Sequence, residues 1–198
     1  MLHINAQQIE QAIDALKRGQ VIVFPTETSY GLGCDATNAE AVERIFAMKG
    51  RVAGKGLPVL VPSIEAAQQE VVLSDFALDL AGRHWPGALN VIGLVAPKAT
   101  ISAACHEEGT QSVRMSSHPF TSTLLRRFAK PITATSANVS GQDGMYSVDH
   151  AEEVFAHQVD QPDVVIDAGR LPEVAPSTTV RVVDGEVDII RQGSVVIS

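Results

Sequence analysis

A chain of 198 residues, 45% apolar and 19% charged, can bury a sizeable core and is expected to fold as one domain over residues 1–198. Its formal charge of −8 and nine aromatic residues (one Trp, two Tyr, six Phe) argue against a protein that coats nucleic acid by overall charge or stacks single strands on an aromatic platform. No apolar run approaches the roughly 20 residues of a membrane span. The first eight residues, MLHINAQQ, lack the basic and apolar regions of a signal peptide, so a cytoplasmic address is expected.

In chain order, Asn5 is the expected N-cap of a first helix, with Ile9, Ala12, Ile13 and Leu16 on one face and Gly19 as its C′ residue. Val21 to Phe24 reads as a strand buried on both faces, ending at Pro25, which cannot donate to a ladder. A short loop follows with Thr26, Glu27, Thr28 and Tyr30, then Gly31 and Gly33. Hydroxyls and a carboxylate after a buried strand sit where open α/β sheets place ligands, although a polar strand-to-helix turn would look the same.

Thr37 or Asn38 is expected to cap a second helix, with Ala41, Val42, Ile45 and Phe46 inward, ending in a glycine-rich loop that carries Lys49, Arg51 and Lys55. Leu57 to Val61 reads as a buried strand, and Ser63 and Ser74 as N-caps of two more helices. Strands are expected at Leu89 to Val95 and Gln111 to Met115, a helix from Pro119 to Phe128, and a strand from Pro131 to Thr135 that runs into Ser136-Ala-Asn138. Asp149 is the expected cap of a last helix. Strands at 164–167 and 178–183 follow, and Asp184-Gly185 signals a hairpin returning through 187–190. Strands alternating with helices early and pairing as hairpins late imply an α/β fold on a mixed sheet.

Several residues could carry chemistry. Lys49-Gly50-Arg51 either complements a helix C-terminus or meets an anion. Lys55 between two glycines does not match the phosphate-binding loop, because residue 49 is Lys and residue 56 is Gly. Ser136-Ala-Asn138 supplies neutral donors for phosphate or carboxylate oxygens, or else an Asx turn. Arg114 inside a strand calls for an anionic partner; Arg191 has the same character, unless an exposed edge strand explains it. Cys34 and Cys105 have no CxxC spacing and read as reduced thiols, and the six histidines show no ligand spacing, so no protein metal site is expected.

Together, the stretch from Phe24 to Gly33 (FPTETSYGLG), Lys49-Gly-Arg51 and Ser136-Ala-Asn138 closely resemble the YrdC/Sua5 family of threonylcarbamoyl-AMP synthases. The resemblance runs from about Ile9 to Gly193 and takes in Trp85-Pro-Gly87, Ser112-Val-Arg114, His118-Pro119, Pro176-Ser-Thr-Thr-Val180 and Arg191-Gln-Gly193. It implies a YrdC-like twisted mixed sheet with helices around a large central cavity, in the short single-domain form. It also implies an enzyme, a nucleotidyltransferase that joins L-threonine, bicarbonate and ATP into threonylcarbamoyl-AMP and pyrophosphate. The product serves N6-threonylcarbamoyladenosine modification of ANN-decoding tRNAs.

By that resemblance Lys49, Arg51, Ser136 and Asn138 are the expected catalytic set. Arg114, Ser140, Ser177 and Arg191 join them around ATP and its Mg²⁺, while Thr26, Thr28 and Tyr30 hold threonine. A downstream threonylcarbamoyl-transferase complex and contact with tRNA or double-stranded RNA are the implied macromolecular partners. Departures from the family pattern fall at Val52, Ala88, Asn90 and Ser116, where prolines or a threonine are usual. Two other classes stay open: a non-catalytic RNA-binding relative, and a carbamoyl-transfer module of the kind found in hydrogenase maturation proteins.

Overall fold

The structure, a computed structural model, describes residues 1–50, 55–139, 141, 143–149, 151–183 and 185–197. Two mixed sheets organise it. The first runs in the order β1 (Leu2–Asn5), β10 (Val164–Asp167), β2 (Ile22–Pro25), β3 (Tyr30–Gly33), β9 (Thr135–Ser136). The second has the order β12 (Glu186–Arg191), β11 (Thr178–Val183), β6 (Leu89–Val95), β7 (Thr110–Arg114), β4 (Val59–Leu60), β8 (Ile132–Thr133), with β5 (Val71–Val72) beside β6. Among the described residues six α-helices accompany them: α1 (Ile9–Lys17), α2 (Ala39–Lys49), α3 (Ile64–Glu70), α4 (Asp75–His84), α5 (Pro119–Phe128) and α6 (Ala151–Phe155). The α/β class is as expected, with the sheet resolved into two. None of the described helices is long and apolar enough to cross a membrane.

The two-residue side-chain period of β2 decides what lies on each face of the first sheet. Ile22 and Phe24 pack with Leu16 of α1 and with Leu124 and Phe128 of α5. Val21 and Val23 face the other way, into a core shared with Val42 and Ile45 of α2. The helix starts obey local chemistry: Asn38, Ser63 and Ser74 each accept a backbone N–H from three residues on, at 3.2 Å.

Some expectations fail for identifiable reasons. Asn5 does not cap α1. It ends β1, which pairs in parallel with β10, and its side chain accepts from Gln7 N, so Gln8 occupies the N-cap position. The strand expected over Val21 to Phe24 is observed as Ile22–Pro25, and it does not lead to a helix but turns back through Thr26–Ser29 as a hairpin, with Pro25 still in register opposite Tyr30. The tetrapeptide Tyr30–Gly33 hides this strand from a propensity reading, because it carries two glycines. The expected strand over 131–135 changes sheets midway. Ile132–Thr133 pairs with β4 and Thr135–Ser136 with β3, and Ala134 donates to Pro58 O (2.8 Å) at the crossing.

That crossing ties the sheets together through a close approach at Gly33. A Cβ placed on Gly33 would lie 2.1 Å from Thr133 O and 2.8 Å from the Phe24 ring. Cys34 beside it donates its N–H to Thr133 Oγ1 at 3.0 Å, and burial pushes the thiols of Cys34 and Cys105 up to about 12. We expect Gly33→Ala to cost about 1–3 kcal/mol, the usual range for overpacking a core. A urea unfolding midpoint equal to that of the wild type would contradict the close approach.

Candidate active site

Between the sheets lies a cavity of about 650 Å³. One wall comes from the first sheet, through Thr26, Thr28, Tyr30 and Ser136. The opposite wall is a polar face of the second, through Asn90, Ser112, Arg114 and Thr179. Asn90 and Thr179 are cross-strand neighbours joined by a 3.1 Å hydrogen bond, and Ser112 and Arg114 are two apart on β7. Polar residues at a period of two on strands that are otherwise buried were the available sign of this wall, beyond the arginine.

Arg114 is buried, at 6% exposed. Its Nη1 donates to Ser177 Oγ, and its Nε stands 3.6 Å from Glu27 Oε1, an ion pair too long for a hydrogen bond. Both of those facing atoms are buried without a hydrogen-bond partner among the described residues. Glu27 Oε2 accepts from Ser116 Oγ at 2.5 Å, so the departure to serine at 116 supplies a hydroxyl that holds the carboxylate. Burial pulls the Arg114 guanidinium below its ordinary value, Glu27 opposes that shift, and the nearby Arg191 adds to it. It remains a cation, since arginine does not lose its proton in proteins. Glu27 is the partner that a strand arginine demanded; only proximity in the fold could select it from the acidic residues.

Arg191 lines the cavity from β12, at the edge of the second sheet. Its Nε and Nη2 donate to Ser177 O at 3.1 and 2.8 Å. Two guanidiniums therefore converge on one serine, Arg114 on its hydroxyl and Arg191 on its carbonyl. Like charges so close raise the local potential and favour an anion between them.

Lys49 does not sit in the glycine-rich loop expected to carry it. It is the last residue of α2 and is 4% exposed. Its Nζ donates to Ser136 O (2.7 Å), Asn138 O (2.9 Å) and Asn138 Oδ1 (2.8 Å). The lysine thus fixes the backbone of the Ser136–Asn138 loop from behind, while the exposed Ser136 and half-buried Asn138 line the cavity. Gly50, left-handed at φ 57°, ends the helix and lets the chain leave without disturbing the ammonium. Arg51 and Ser140 lie outside the described residues.

The hydroxyls of the threonine turn are partly spent. Thr26 Oγ1 donates to Ser29 O (2.6 Å) and accepts from Thr28 N (3.2 Å), and Thr28 Oγ1 sits 3.1 Å from it. Tyr30 contributes its ring to the wall, while its hydroxyl donates to Gly169 O (2.7 Å) and accepts from Ala168 N (2.9 Å). Burial raises the Tyr30 phenol above its ordinary value, which keeps it a donor there.

Fold and site define an α/β protein with a cavity between two mixed sheets, lined by Arg114 and Arg191. A family model described as "Telomere recombination", spanning Sua5, YciO and YrdC, matches residues 14–193, and the chain belongs to that family. A threonylcarbamoyl-AMP synthase of Vibrio vulnificus is 32% identical over 154 residues, 76% of this chain and 82% of that one. P. abyssi Sua5 solved with L-threonine aligns at a TM-score of 0.84 and 30% identity over 97% of this chain. This chain spans 56% of that longer one. E. coli YciO aligns at 0.81 and 25% identity, over 97% of this chain and 93% of its own.

A neutral side chain at Lys49 would remove the charged donor that Ser136 O, Asn138 O and Asn138 Oδ1 share. We expect Lys49→Met to lower stability by at least about 1.5–3 kcal/mol, the worth of a hydrogen bond to a charged group. Chemical denaturation showing wild-type stability would contradict this anchoring role.

Proposed function

We propose that the protein is a threonylcarbamoyl-AMP synthase, using L-threonine, bicarbonate and ATP and releasing pyrophosphate. The observation that carries this reading is the convergence of Arg114 and Arg191 on Ser177, inside the cavity that Ser136 and Asn138 also line. The name of the V. vulnificus relative and the L-threonine in P. abyssi Sua5 support it.

The reaction brings two anions together. Threonine nitrogen bonds to the carbon of carbon dioxide, losing a proton, or to that of bicarbonate, which loses water, and so becomes a carbamate. A carbamate oxygen then attacks the α-phosphorus, and pyrophosphate leaves with the electron pair of the broken P–O bond. A site for this step must neutralise and align both partners, work that fixed cations and donors do without reorganising. Arg114 and Arg191 neutralise the triphosphate, Ser177, Ser136 and Asn138 orient its oxygens, and Lys49 holds the Ser136–Asn138 loop in shape. Arg51 and Ser140 join the phosphate set by the motif they belong to. Thr26, Thr28 and the Tyr30 ring form the threonine end.

Mg²⁺ fits as an ion carried in by the nucleotide. No three His, Cys, Asp or Glu side chains converge among the described residues, and the cavity offers Glu107 and Asp143 singly. Phosphate oxygens and water supply most ligands of such an ion. The product would feed N6-threonylcarbamoyladenosine formation on tRNA through a separate transferase, in the cytoplasm.

Purified protein given ATP, threonine and labelled bicarbonate is expected to yield a labelled threonylcarbamoyl adenylate by mass spectrometry. Its absence at every Mg²⁺ concentration would refute the assignment. Valine in place of threonine should be refused, since a site that bonds a substrate hydroxyl rejects analogues lacking it. Serine should be used about 10–200-fold less well, the range for one methyl-sized contact. Competition assays that find valine accepted like threonine would remove Thr26 and Thr28 from the substrate site.

A further inference from the structure

Arg191 reaches the cavity because β12 is one residue out of step with β11. From Val183↔Glu186 to Val180↔Ile189 the antiparallel register is regular, but Thr179 then faces Arg191 instead of Ile190. Directly opposed residues share a face of the sheet. Thr179 points into the cavity, while Thr178 is wholly buried and accepts and donates on the other side. Were the regular register continued, Ile190 would oppose Thr179, and Arg191 would oppose Thr178 and point away from the cavity. With the extra residue, both Ile190 and Arg191 line the cavity wall. Bulges at sheet edges commonly re-aim a side chain in this way.

The residues after the bulge are locked to the start of β11. Thr178 Oγ1 accepts from Gly193 N (3.0 Å) and Val195 N (3.1 Å) and donates to Val195 O (2.6 Å), which uses the full capacity of a hydroxyl. Ser194 N donates to Pro176 O at 2.9 Å. Gly193 lies so near this strand that a Cβ would stand 2.0 Å from Pro176 O. The same short segment, Pro176 to Thr178, thus carries residues 193–195, a strap, on one side and Ser177, with both guanidiniums, on the other.

We infer that Thr178 and the bulge at Ile190 are positioning residues for nucleotide binding: together they turn Arg191 into the cavity and hold its guanidinium beside Arg114. This rests on the reading of the cavity as the ATP site. Thr178 touches no substrate; it acts through the strap. Arg191 spends two N–H groups on Ser177 O, and the remainder of its fork faces the phosphates.

Calorimetric titration of the full chain with ATP tests this. Arg191→Ala should weaken binding roughly 10- to 100-fold, the loss of a charge-assisted hydrogen bond. Thr178→Val, equal in shape but lacking the hydroxyl, should weaken it comparably, and Thr178→Ser should restore it. In the double variant the two losses should not multiply, because both remove one contact. A general packing role for Thr178 would instead give multiplied losses, and that result would overturn the inference, as would wild-type affinity in Thr178→Val. Insertion of one alanine between Ile190 and Arg191 on the exposed edge strand, which moves Arg191 opposite Thr178 and away from the cavity, is the second variant, usable if Thr178→Val does not fold. It should bind ATP like Arg191→Ala, and retained affinity would be contrary. Wild-type protein that binds ATP with this variant pattern but makes no adenylate would remove the reaction and keep the positioning. Adenylate synthesis with unaffected variants would do the reverse, and a wild type that binds no ATP would remove both.

Discussion

A buried ammonium with three oxygen ligands is the contact on which the site's shape depends. Lys49 ends α2 inside the protein, where Ser136 O, Asn138 O and Asn138 Oδ1 accept from its ammonium and make the buried charge tolerable. Those oxygens belong to the segment that has just crossed from one sheet to the other at Ala134. One side chain therefore ties α2 to that crossing and sets the curvature of a loop lining the cavity. The position at a helix C-terminus adds to this, since carbonyl dipoles there favour a cation.

The opposite wall solves a related problem differently. Arg114 is buried with a carboxylate paired to it by charge but not by a hydrogen bond, the Glu27–Arg114 distance being 3.6 Å. A fully paired arginine would have less attraction left for an incoming anion, and an arginine with no partner would be costly to bury. Glu27, held by Ser116, lies between these limits. Arg191 then adds a second charge at Ser177, and its like sign is tolerable at a half-exposed cavity wall where an anion can enter. Charges fixed in place before the substrate arrives stabilise developing negative charge without reorganisation.

Much of this was legible in the sequence where local chemistry decides. The bounds of α5, β6, β10 and β11 follow from apolar runs and turn residues, and the Asn38, Ser63 and Ser74 caps from side-chain oxygens before helices. The convergence of Arg114, Ser177 and Arg191, three separate motifs, came from family resemblance and not from spacing. Long-range geometry was not legible. Gly31 and Gly33 disguise β3 as a loop, and nothing local marks Ala134 as the point where a strand changes sheets. The burial of Lys49 is equally hidden, because a lysine beside a glycine at a helix end is usually solvated. The extra residue at Ile190 cannot be seen in β12 alone, since a bulge exists only relative to its partner strand.

The most direct test is a crystal structure with a non-hydrolysable ATP analogue and L-threonine bound together. The account predicts phosphate oxygens within hydrogen-bond distance of Arg114 and Arg191, facing the Ser136–Asn138 loop, with threonine at the Thr26–Thr28 turn. Phosphates seated away from both guanidiniums, or a nucleotide outside the cavity between the sheets, would contradict it.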